Sequence, residues 1–69
     1  MTETEIKLRN EIKAQLDRVT YANSPNIWDQ MQTAQGYLRL EQTIIDRMLA
    51  TQLTPGAIIP QLEQEAQMM

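Results

Sequence analysis

Residues 37–53, YLRLEQTIIDRMLATQL, leave this chain few folds to choose from. Wound as an α-helix at about 100° per residue, they put Leu40, Ile44, Tyr37 and Met48 on one flank and Ile45, Leu38, Leu49 and Leu53 on the adjoining one. The two flanks sweep roughly 220°, against the ~100° stripe needed to dock on one neighbour. Arg39, Thr43, Asp46 and Arg47 share the narrow strip that remains. A helix so broadly apolar is covered on more than one side. A chain of 69 residues has little material for that, because a domain this small buries only about 60 % of its unfolded surface. Either the helix is the centre of a compact three-helix monomer, or a second copy or another protein covers one flank. Association is the expectation, with Tyr37, Leu40, Glu41, Ile44 and Met48 at the interface.

Glu41 falls inside the apolar arc, between Met48 and Ile45. A buried carboxylate without a partner costs several kcal/mol. Glu41 therefore either pairs with an Arg or Lys of another helix and sets register, or lies on a rim and reaches water.

Local signals divide the chain. Thr2-Glu3-Thr4-Glu5 has the capping-box pattern, and its acids suit the positive end of a helix dipole. A first helix over about residues 3–21 follows, with a narrow stripe of Leu8, Ile12, Leu16 and Val19 and with Ile6 off it. Lys7–Glu11 and Lys13–Asp17 read as solvated i,i+4 charge pairs. Ala22-Asn23-Ser24-Pro25-Asn26 is the clearest break, with Ser24 a natural N-cap and Pro25 a natural first helical residue.

A second helix over about residues 25–52 is expected, about 42 Å long, with Ile27, Met31, Ala34 and Leu38 facing the first. Gly36 costs about 1 kcal/mol in a helix interior; good helix formers on both sides favour continuity with a bend. Trp28 either caps the open end of the hairpin core or anchors a partner.

Thr54-Pro55-Gly56 ends that helix. Pro60 argues for a turn or 3₁₀ stretch over 55–59 and a short helix over about 60–67. Ile58, Ile59, Leu62 and Ala66 then fold back, Glu63 and Glu65 face solvent, and Met68 and Met69 fray. The expected fold is all-α and a single domain over residues 1–69. It is an antiparallel helical hairpin with a short C-terminal helix, dimerising into an assembly like a four-helix bundle.

The chemistry available is limited. The chain has no histidine or cysteine, and its only serine, Ser24, has no base to activate it. Asp46/Glu41 and Glu63/Glu65 lack the spacing of a metal cage, and a ferritin-like site needs Glu-x-x-His. No glycine-rich phosphate loop is present. No enzymatic activity, cofactor or metal is expected.

Net charge is −3, from 6 basic and 9 acidic residues. Lys7, Arg9, Lys13 and Arg18 cluster in the first segment, but Glu3, Glu5, Glu11 and Asp17 interleave with them and cancel the charge that phosphate binding needs. The longest apolar run, 57–60, is too short for a bilayer, and no secretory signal opens the chain; a cytoplasmic location is expected. The function expected is a small acidic protein–protein interaction module, an adaptor, inhibitor or assembly factor acting as a homodimer. The alternatives are a nucleic-acid-associated regulator using the basic residues of the first helix, and a structural subunit of a larger protein assembly.

Overall fold

A computed structural model describes residues 2–68, and Met69, expected to fray, lies outside them. The described residues form four helices: α1 (Glu3–Leu16), α2 (Pro25–Gln30), α3 (Ala34–Thr51) and α4 (Pro55–Gln67). The fold is all-helical, but the long second helix is two helices and the C-terminal one starts five residues early.

α1 begins where its cap dictates. Thr2 Oγ1 accepts from the Glu5 amide at 3.2 Å, satisfying one of the amides that a helix start leaves unpaired. Lys7 pairs with Glu3 at 3.6 Å, not with Glu11; an acid one turn N-terminal to the base is the better orientation. The helix ends at Leu16, short of Tyr21. β-branched Val19 and Thr20 follow, and Thr20 Oγ1 takes the Asn23 amide at 3.2 Å, a local bond that competes with helix.

α2 begins at Pro25, yet Ser24 makes no side-chain capping bond. The cap comes from Glu63 of α4, which accepts from the Ile27 amide at 3.1 Å, the Asn26 amide at 3.4 Å and Asn26 Nδ2 at 3.0 Å. Glu63 is thus buried instead of facing solvent. A short helix is worth little alone, and this carboxylate ties it to the core.

The chain turns at residues 31–33, not at Gly36. Thr33 caps α3 by accepting from the Gly36 amide at 3.0 Å, so Gly36 occupies the first turn of the new helix. A Cβ on Gly36 would overlap the Gln30 carbonyl oxygen and come within 2.9 Å of Thr33 Oγ1. Glycine is required here for a close approach of two backbones. Gly36→Ala is therefore expected to destabilise the fold by about 1–3 kcal/mol through overpacking, although alanine is the better helix former by about 1 kcal/mol. Urea unfolding checks this, and a stabilised variant would show that the 31–33 turn is not as close as described.

α3 ends at Gln52, whose φ of 61° is left-handed and whose amide donates to Met48 O at 2.7 Å. α4 runs unbroken through Pro60, against the expectation of a turn over 55–59. Helical geometry is what places Ile58, Ile59, Leu62 and Glu63 on one inward face. Pro60 has no amide to donate to the Gly56 carbonyl, and Gly56 and Pro60 are both exposed to water.

The core is one cluster of Ile12, Leu16, Ile27, Leu40, Ile44, Ile58 and Ile59. α4 touches α1, α2 and α3, and α3 touches α1, α2 and α4, while α1 and α2 meet only through them. The C-terminal helix is therefore half of the central pair, not a flap over the end of another helix.

Candidate functional site

The apolar arc of α3 splits into two flanks with different fates. Leu40 and Ile44 are buried by their own chain, Glu41 lies beneath α1, and Tyr37 and Met48 are half-buried against the same core. The five residues expected at an interface between copies do come together, but inside one molecule. α1 and α4 approach α3 from that side, so Leu40, Glu41 and Ile44 have almost no surface left to offer a second copy, while Tyr37 and Met48 keep part of theirs.

Glu41 pairs with Arg9 of α1. This is the inter-helix partner that an acid inside an apolar arc needs, supplied within the chain. Arg9 Nε is buried without a hydrogen-bond partner among the described residues, so the pair fixes the seating of α1 at some desolvation cost. Tyr37, close by, has its phenol pushed above the ordinary range, first by burial and then by the negative charges of Glu41 and Asp17.

The second buried carboxylate, Glu63, is saturated. Burial pushes its pKa upward, but the Ile27 amide, Gln67, and the Asn26 side chain and amide all donate to it. Together they outweigh burial and hold it below the ordinary glutamate range. Glu65, expected in solvent, forms a two-pronged pair with Arg47, both contacts at 3.1 Å. Glu41, Glu63 and Glu65 are thus each engaged with a partner on the chain. Among the described residues no cluster of three metal-binding side chains exists, and no helix is long and apolar enough to cross a membrane.

The other flank of α3 is open at both ends, while Ile45 at its middle is half-buried against the core. Leu38 is 62 % exposed and Leu49 74 %. Between Leu49 and α1 lies an open groove of about 370 Å³, lined chiefly by Leu8, Ile45, Leu49 and Gln42, with Glu5 and Arg9 at its edge. Ile6 and Leu53 add further exposed apolar surface. Helical projection placed Leu38, Ile45 and Leu49 on one flank but could not say that Leu38 and Leu49 face outward while Ile45 is half-buried. The signal that separated them was Glu41: an acid demanding a partner marks the side from which the nearest basic helix arrives.

Trp28 is half-buried and meets the exposed Tyr21 ring edge to face, centroids 5.5 Å apart. It closes an end of the core more than it presents an anchor. Of the basic residues in the first segment, Lys7 and Arg9 are paired with acids of the chain, while Lys13 and Arg18 are exposed.

Fold and surface together define a small four-helix protein with one partly uncovered apolar helix flank. No protein-family model, curated protein or solved structure matches the chain.

Proposed function

We propose that this chain is a non-enzymatic protein–protein interaction module that associates through the outer flank of α3. The observation that carries the reading is the alignment of the exposed Leu38 and Leu49 on one helix face, with the half-buried Ile45 between them at the floor of the groove beside Leu8. Isolated exposed leucines are ordinary, whereas an aligned apolar strip rimmed by charge marks an association surface. The buried acids support the same reading, since each already serves the fold.

The test is sedimentation equilibrium of the wild type and Leu49→Asp. The wild type is expected to self-associate in the micromolar range, and the variant to remain monomeric with unchanged helicity. Leu49 contacts so little that its replacement should cost the fold less than about 0.5 kcal/mol. A wild type that stays monomeric to high micromolar concentration would remove self-association through this flank.

A further inference from the structure

The outer flank of α3 is self-complementary, and we infer that its occupant is a second copy of the same helix, crossing antiparallel about a two-fold axis level with Thr43 and Ile44. This rests on the association proposed above and adds who the partner is and how it lies.

Leu38, Gln42, Ile45 and Leu49 are spaced four, three and four residues apart, the a/d spacing of a helix–helix seam. In an antiparallel pair Leu38 meets the partner's Leu49, and Gln42 meets the partner's Ile45. The same register sets Arg39 beside the partner's Asp46, twice by symmetry, because a two-fold contact repeats each pairing.

The charges are poised for that meeting. Arg39 and Asp46 are both exposed, and Arg39 has no ion-pair partner among the described residues. Gln42 Nε2 holds Asp46 Oδ1 at 2.9 Å, fixing the carboxylate beside the seam. Within one helix Arg39 and Asp46 stand seven residues apart, about 10 Å along the axis, too far to bridge. Only an antiparallel neighbour brings each within reach of its opposite. A parallel neighbour would set Leu38 on Leu38 and Gln42 on Gln42 and leave both charges unmatched.

The seam from Leu38 to Leu49 is about 16 Å long, less than a standard interface of roughly 800 Å² per partner requires. A seam of this size fits the weak, transient class of interface.

The test uses Arg39→Asp and Asp46→Arg, separately and mixed, in sedimentation equilibrium at low salt. Each variant alone opposes like charges twice and should dimerise at least about tenfold more weakly than wild type. An equimolar mixture restores both pairs, one reversed (Asp at 39 against Arg at 46) and one as in the wild type, and should recover the dimer. Leu38→Cys and Leu49→Cys provide an independent reading in a chain that has no cysteine of its own. Mixed and oxidised, they should cross-link to each other, not each to itself. A wild type that dimerises while the charge mixture stays monomeric, or cysteine variants that cross-link like with like, would overturn the antiparallel seam and leave association standing. A monomeric wild type would overturn both.

Discussion

Replacing Glu63 by alanine is expected to cost about 2–4 kcal/mol, most of the stability a chain this short can have. The side chain is 5 % exposed and receives four hydrogen bonds, two of them from the first amides of α2. Its loss strips α2 of its only side-chain cap and leaves the Ile27 amide without a partner in the core. Ile27 sits directly behind that amide and is itself buried, so the damage spreads to the packing of α2 against α3 and α4.

The same carboxylate predicts a pH dependence. Its folded-state pKa is lowered, so it stabilises fully above the unfolded value of about 4.3 and loses that contribution as pH falls through the folded value. Glu63→Gln carries no such charge at any pH. The variant should be less stable than wild type near neutrality, and the two should converge once the pH has fallen below the lowered folded-state value. Urea midpoints measured across that range decide it. An equal gap at both ends would mean that the charge on Glu63 contributes nothing and that only its shape matters.

The second large effect separates the two flanks of α3. Ile44→Ala is expected to cost about 2–5 kcal/mol, the range for opening a cavity at a fully buried aliphatic side chain. Ile44 is 0 % exposed, within the cluster that joins all four helices. A domain this small has only about 3–5 kcal/mol in hand, so the variant should be largely unfolded by circular dichroism at room temperature. Leu49→Ala removes a side chain from the same helix that is 74 % exposed and should leave the thermal midpoint of a dilute sample almost unchanged. Comparable losses at the two positions would mean that the division into inner and outer flanks is false.

Much of this architecture could be read from residue order. The start of α1 at the Thr2 cap, the break before Pro25 and the all-helical content follow from signals that act within one turn. The two apolar flanks of α3 follow from periodicity alone. The turn at 31–33 was also written locally, in Thr33 and Gly36, but good helix formers on both sides masked it.

What tertiary structure alone decided is direction and compensation. A projection around one helix yields angles between side chains, not the side from which a neighbour comes. Leu40 and Ile44 are inside, and Leu38 and Leu49 outside, because α1 and α4 cover one flank and, among the described residues, only the edge of the other at Ile45 is covered. Pro60 stays in a helix because burying Ile58, Ile59 and Leu62 on one face outweighs one lost hydrogen bond at the wet surface. Glu63 is inside because the start of α2, far away in sequence, needs an acceptor that Ser24 does not supply. Each of these outcomes balances groups more than thirty residues apart or on different helices, and a signal confined to one helical turn carries no information about them.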